Sequence, residues 1–186
     1  MRLTELVHEE LKNHLQGGDF AIDATAGNGH DTYYLAERVG ETGKVISIDI
    51  QIEAIESTLG MLSMTALANR VDLLVGDHSV ILDKLFEEYK NSIAAIVFNL
   101  GYLPGSNKFI KTDAKNTIRA LDAASKLLRP SGLLSVTAYR AHLGGEEETI
   151  SVKEWMASKE DFGWLINSHH PVSSNLPPIL WIAYKP

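Results

Sequence analysis

Five short apolar runs, each ending on polar or turn-forming residues and alternating with segments of helical spacing, constrain this chain more than any other feature. They are Phe20-Ala-Ile-Asp23, Lys44-Val-Ile-Ser-Ile-Asp49, Val71-Asp-Leu-Leu-Val75 before Gly76-Asp77, Ala94-Ala-Ile-Val-Phe98 before Asn99, and Gly132-Leu-Leu-Ser-Val-Thr137. Leu3, Leu6, Val7, Leu11 and Leu15 recur at helical spacing ahead of the first run. Further helices are expected over Thr32–Val39, Ile52–Ala68, Val80–Tyr89 and Thr112–Leu128, the last stopped at Pro130. Strands that are nearly continuous apolar runs, with helices between them, specify a parallel sheet covered on both faces. The rhythm breaks near the end. Trp164-Leu-Ile-Asn-Ser168 and Ile179-Leu-Trp-Ile-Ala-Tyr184 are strand-like, but the polar, proline-rich connection between them is too short for a crossover helix. They are expected to pair antiparallel at one sheet edge. The expectation is an α/β, Rossmann-like fold: a seven-stranded, mostly parallel sheet with a C-terminal antiparallel hairpin, in a single domain over residues 1–186.

Composition narrows the function. The chain of 186 residues has no cysteine, which excludes disulfides, thiolate metal sites and thiolate covalent catalysis. His169 and His170 are adjacent and point to opposite faces of a strand, so no metal site is expected. The longest apolar runs are too short to cross a bilayer, and the start of the chain lacks a signal-peptide core, so the expected location is the cytoplasm. The net charge of −7 argues against a broad nucleic-acid surface. Charge is nonetheless uneven: Lys108, Lys111, Lys115, Arg119, Lys126 and Arg129 face only Asp113 and Asp122 across that stretch. Lys111, Lys115 and Arg119 share one face if helical, either as a solvated face or as a phosphate-contacting strip.

In open α/β sheets ligands bind beyond the carboxyl ends of the strands, so the residues there are read together. Asp23-Ala-Thr25-Ala-Gly27-Asn28-Gly29-His30-Asp31-Thr32 follows the first strand, and its glycines let backbone approach a ligand at a helix start. Thr32 stands where a dinucleotide fingerprint has its third glycine. Asp23 would repel a pyrophosphate but can organise the ammonium of a methionine moiety, which favours S-adenosyl-L-methionine over a nicotinamide dinucleotide. Asp49 can accept both hydroxyls of a ribose, with Gln51 close enough to assist. Asp77, beside His78, is placed for an adenine amino group, or simply for a solvated turn. Phe98-Asn99-Leu100-Gly101-Tyr102 suits methyl transfer to nitrogen. The Asn99 oxygen and the Leu100 carbonyl can accept amine hydrogens and aim the lone pair, and Tyr102 can stack on a base. Asn99 also borders the cofactor. Tyr139 and His142 follow the fifth strand, where His142 can take a proton or position a substrate. The segment reads equally as a flexible surface loop with a solvated acidic run at Glu146–Glu148. Pro177-Pro178 reads as a substrate-side loop or a rigid turn.

These motifs resemble the bacterial MnmM family, the YtqB-like proteins long labelled rRNA methylases. The resemblance rests on Asp23–Thr32, Asp49-Ile-Gln51, Gly76-Asp-His78, Phe98-Asn-Leu-Gly-Tyr-Leu-Pro104-Gly105, the loop from His142 to Gly145, and Pro177-Pro178. It implies an S-adenosylmethionine-dependent enzyme that methylates the aminomethyl nitrogen of 5-aminomethyl-2-thiouridine at the wobble position of tRNA. It also implies a homodimer. The cofactor residues are then Asp23, Thr25, Gly27, Asn28, Gly29, His30, Asp31, Thr32, Asp49, Gln51, Asp77, His78 and Asn99. The anticodon region of tRNA would meet Tyr102, Pro104, Lys108, Lys111, Lys115, Arg119, Tyr139, His142, Pro177 and Pro178. Methylation of rRNA or of a small amine, a nicotinamide-dependent oxidoreductase and a non-catalytic binding protein remain as alternatives.

Overall fold

A computed structural model describes residues 2–102, 111–171 and 176–186. Its strands are β1 (Phe20–Asp23), β2 (Lys44–Asp49), β3 (Val71–Val75), β4 (Ile93–Leu100), β5 (Leu128–Ala138), β6 (Leu165–His169) and β7 (Ile179–Tyr184). They form one sheet of order β3-β2-β1-β4-β5-β7-β6. Pairing is parallel from β3 through β5, and β7 runs antiparallel to both β5 and β6. The expected architecture is therefore present, terminal hairpin included.

Successive residues of the central strands alternate between two apolar cores, which is why those strands read as unbroken hydrophobic runs. Ile22, Ile46, Ile96 and Phe98 face one core with Leu82, Leu121, Val152 and Trp155. These last four lie on α4 (His78–Lys84), α6 (Ala114–Leu127) and α7 (Gly145–Glu160). Ala21, Val45, Ala95 and Val97 face the other core with Val7, Leu35 and Leu62. Their helices are α1 (Leu3–His14), α2 (His30–Arg38) and α3 (Ile52–Ser63), while α5 (Phe86–Tyr89) is a single turn after α4. Fully buried side chains such as Phe98 and Ile96 each contribute about 1.5–3 kcal/mol relative to exposure.

Four helical expectations need correction. The segment after Ile52 leaves the helix at Ser63 and closes with a 3-10 turn at Ala68–Arg70. Val80–Tyr89 begins earlier and divides in two, because the Asp77 carboxylate accepts from Ser79 N and starts α4 at His78. In the same way Asp113 accepts from Asn116 N and starts α6 at Ala114, which leaves Lys111 outside the helix. At the other end of α6, Leu128 is already extended and paired with Ile93, before Pro130 is reached. Finally, the acidic run Glu146–Glu148 is the first turn of α7 rather than a loop, and Glu148 is 1% exposed.

The connection from β1 to β2 runs one way along the sheet and that from β3 to β4 returns past β1. The chain therefore switches direction between β1 and β4, and the crevice opens beyond their carboxyl ends.

Candidate active site

The loop from Ala24 to Gly29 leaves β1 at that switch point and is stitched to both neighbouring strands. Ala24 N donates to Val97 O at 2.9 Å, and Ala26 N to Ile48 O at 2.9 Å. Asn99 N donates to Thr25 Oγ1 at 2.7 Å. Gly27 N donates to Asp49 Oδ2 at 3.0 Å, while the other oxygen of Asp49 accepts from Gln51 N at 2.9 Å. Gly29 has φ +85°, and a Cβ there would lie 2.9 Å from Thr58 Oγ1 and 3.0 Å from Thr58 Cα. A side chain is strained there, so glycine lets the loop pack directly against α3.

Asp23 does not reach the crevice. It is fully buried, accepting from Thr32 Oγ1 at 2.6 Å and Thr25 N at 3.2 Å. Burial pushes its carboxyl up to about 7 and the nearby Asp31 adds to this, against the bonds from Thr32 and Thr25. Thr32 is likewise buried, bridging Asp23 and Ser47. Asp23, Thr32 and Gly29 thus support the loop from behind.

In front of the loop lies a cavity of about 770 Å³, well within the size range of small-molecule sites. Thr25, Gly27, Asn28, His30 and Asp31 line it along the loop, and Asp49, Ile50, Gln51, Asp77 and His78 along the ends of β2 and β3. Burial would raise the Asp77 carboxyl. The bonds from the Ser79 side chain and backbone outweigh it, with His78 and Arg119 nearby, and hold Asp77 below the usual carboxylate range. Burial also lowers His78, against the nearby Asp77, and its Nδ1 lies 3.3 Å from Ala24 O. Ile50 is 56% exposed, an apolar side chain at the cavity mouth that sequence reasoning missed. Acids dominate this half: Asp31, Asp49 and Asp77 line it, with no Lys or Arg among its described residues. Such a wall suits a cation and disfavours a pyrophosphate.

The other half is walled by Asn99, Gly101, Tyr102, Lys111, Tyr139 and His142. Asn99 Nδ2 donates to Asp31 Oδ2 at 2.7 Å, and Asp31 Oδ1 accepts from His8 Nε2 at 2.8 Å. Tyr102 packs edge-on to His142, ring centroids 6.2 Å apart, and bridges to Lys111 in an isolated antiparallel pair. Lys111 Nζ donates to the Leu143 carbonyl. Behind His142, Glu148 accepts from Thr112 Oγ1 at 2.8 Å and Thr117 Oγ1 at 2.5 Å; burial raises its carboxyl against both bonds.

Several expected residues lie elsewhere. Leu100 is buried, and its carbonyl accepts from Tyr139 N at 2.9 Å, because β4 continues through Leu100 and spends that group in the ladder with β5. It does not line the cavity. Lys115 and Arg119 are exposed on α6, away from the cavity wall, and Arg119 pairs with Asp83 at 3.7 Å. The shared face with Lys111 is not formed, since Lys111 precedes the helix. Pro177 and Pro178 lead into β7 and do not line the cavity. Pro104 and Lys108 lie outside the described residues.

Known proteins share this fold over the whole chain. Residues 45–185 match the family model described as "Putative rRNA methylase". The "putative rRNA-methylase" of Clostridium thermocellum is 33% identical, with a TM-score of 0.92 covering 100% of this chain and 98% of that one. A Streptococcus mutans "putative methyltransferase", solved in complex with SAH, is 29% identical with a TM-score of 0.83, covering 100% and 98%. A chloroplastic tRNA (mnm(5)s(2)U34)-methyltransferase of Arabidopsis thaliana is 35% identical over 199 residues, 99% of this chain and 69% of that protein. Fold and site together define a class I, S-adenosylmethionine-dependent methyltransferase. Within that class, the chain belongs to the "Putative rRNA methylase" family. Among the described residues no helix is long and apolar enough to cross a membrane.

Proposed function

We propose that this enzyme methylates a primary amine carried on RNA, the aminomethyl nitrogen of 5-aminomethyl-2-thiouridine at the tRNA wobble position, to give 5-methylaminomethyl-2-thiouridine. The observation that carries the reading is the Asn99 amide, pinned by Asp31 at the rim of an acid-lined cofactor cavity. Similarity to the plant tRNA (mnm(5)s(2)U34)-methyltransferase supports the particular substrate.

The residues present fit S-adenosylmethionine. The Gly27–Asn28 backbone and His30 would hold the methionine end, the Asp49 carboxylate would accept from the ribose hydroxyls, and Asp77 from the adenine amino group. Ile50 offers an apolar surface to the adenine ring. The acids on these walls complement a sulfonium, whereas a pyrophosphate would meet repulsion. When bound, the cofactor supplies an electrophilic methyl group. The chain supplies the alignment: Asn99 Oδ1 accepts a hydrogen of the neutral amine and directs its lone pair, while Tyr102 and Tyr139 pack against the base. Asp23, Thr32 and Gly29 serve the cofactor from behind the loop.

Lys111 at the cavity wall and Lys115, exposed on α6, would give the RNA backbone two cations on an otherwise acidic protein. The same reading has the anticodon region as the docking element. It also describes a single-domain enzyme that works as a homodimer in the cytoplasm.

The test is methyl transfer by the purified protein to tRNA carrying the aminomethyl precursor, to tRNA lacking it and to small amines, with nucleoside mass spectrometry. Conversion confined to the precursor tRNA is expected. Equal transfer to small amines, or methyl on another nucleotide, overturns the assignment.

A further inference from the structure

We propose that His8, on the N-terminal helix and outside the cavity, is a positioning residue for the methyl transfer, acting through Asp31 on the amide of Asn99. The inference rests on the reading of Asn99 as the group that receives the amine.

An asparagine amide has nearly the same shape after a half-turn about its last bond, but its donor and acceptor change places. Nothing in Asn99 itself selects the orientation that presents oxygen to an incoming amine. A partner that only accepts does select it. Asp31 is such a partner: its carboxylate takes the Nδ2 hydrogen at 2.7 Å, and Asn99 Oδ1 has no bond among the described residues.

Asp31 must itself be held. Its position in the first turn of α2 sets the backbone, not the twist of the carboxylate. The second oxygen is taken by His8 Nε2 at 2.8 Å, so both oxygens are fixed and the carboxylate plane with them. His8 in turn is held at three points. Its ring stacks on Tyr34 with centroids 3.9 Å apart and planes within 7°. Its backbone carbonyl accepts from Tyr34 Oη at 2.7 Å, and its Nε2 faces Asp31. Both side chains are part-buried, 26% exposed for His8 and 14% for Asp31, so the bond is partly shielded from competing water. Their arrangement fixes a direction. Thr4, one turn earlier on the same helix, lines the cavity, whereas His8 does not. Helix α1 therefore completes the site from outside the β-α repeat, and His8 reaches the chemistry only through Asp31.

The test compares His8→Ala and His8→Gln with wild type in the full chain; the glutamine keeps an N–H donor at similar reach. In His8→Ala, kcat for the aminomethyl tRNA should fall about tenfold while KM for S-adenosylmethionine and Kd for S-adenosylhomocysteine stay within about twofold. His8→Gln should recover most of the loss. With S-adenosylhomocysteine bound, the Asn99 side-chain NH2 resonance, identified by its absence in Asn99→Asp, should move in His8→Ala and return in His8→Gln. An unchanged kcat in His8→Ala, a loss confined to cofactor affinity, or a glutamine variant no better than alanine overturns the inference. The NMR readout needs no substrate. If the wild-type enzyme leaves the precursor tRNA untouched, the functional reading fails, and the resonance still decides whether His8 orients Asn99.

Discussion

The amide of Asn99 donates through Nδ2 to Asp31 Oδ2 at 2.7 Å, and this bond ties the end of β4 to the first turn of α2. One element carries the side chain assigned to the substrate and the other follows the glycine loop assigned to the cofactor. Removing the amide should therefore separate chemistry from binding. Asn99→Ala is expected to lower kcat by roughly 10²-fold or more, because the amine loses its aim. Calorimetry with S-adenosylhomocysteine should show near-normal affinity. A normal kcat removes Asn99 from the mechanism.

Asp49 is expected to behave in the opposite way. It holds the Gly27 N–H and faces the cavity, so Asp49→Ala loses both a loop clamp and an acceptor for ribose. Cofactor affinity should fall roughly 10–100-fold, the cost of losing hydrogen bonds to a charged group. Affinity within error of wild type would place the ribose elsewhere.

Gly29 offers a test of stability. A methyl group added there meets Thr58 at 2.9–3.0 Å, on a backbone with φ +85°. Gly29→Ala should lose about 1–3 kcal/mol in urea unfolding through left-handed strain alone, and more if α3 resists displacement. An unchanged midpoint would mean that the loop and α3 yield freely.

Asp23 gives the fold a pH dependence of definite sign. Its carboxyl is pushed up to about 7 by burial, reinforced by Asp31, whereas in the unfolded chain it titrates near 4. Between these values the folded state holds a proton that the unfolded state has released. This contribution is therefore complete below about pH 4 and is lost as the pH rises through about 7. Urea midpoints measured from pH 5 to 8 should fall more steeply for wild type than for Asp23→Asn. Parallel profiles would show that Asp23 is ionised throughout.

Lys115 separates RNA docking from chemistry. It is exposed on α6 and does not line the cavity. Lys115→Ala should weaken tRNA binding and reduce the slope of log affinity against log salt by about one, with cofactor affinity intact. An unchanged slope would return Lys115 to an ordinary solvated helix face.

The fold and half of the cavity were legible for a shared reason. Strands buried on both faces appear as apolar runs, so the first polar residue after each one marks a strand end. Asp49 and Asn99 are marked in this way. Strand β3 is only half-buried and carries Asp72, and there the Gly76 turn marks Asp77. All three line one cavity. Asp23 follows the same rule but sits a step too early: its side chain turns inward to Thr32 rather than out to the crevice. The cap at Asp113 is visible as an acid three residues ahead of Asn116, and it moves the helix start from Thr112 to Ala114. Glu148 was hidden by its company. It stands in a run of three glutamates, and with Thr149 it puts two polar residues on the buried stripe of α7, so neither charge nor periodicity points inward. The pairing of His8 with Asp31 spans 23 residues and two helices, and only the packing of α1 against α2 creates it.

Strand β7, last in the chain, is not last in the sheet: it lies between β5 and β6, and Tyr184 Oη donates to Glu10 on α1 at 2.6 Å. During synthesis, β5 therefore presents a bare hydrogen-bonding edge until residues 179–184 have left the ribosome. A nascent chain stalled before that point has its glycine loop and Asn99 already made, yet carries an open edge able to recruit a neighbour. For this enzyme, truncation before β7 or slow translation through it should show up as aggregation before it shows up as lost cofactor binding.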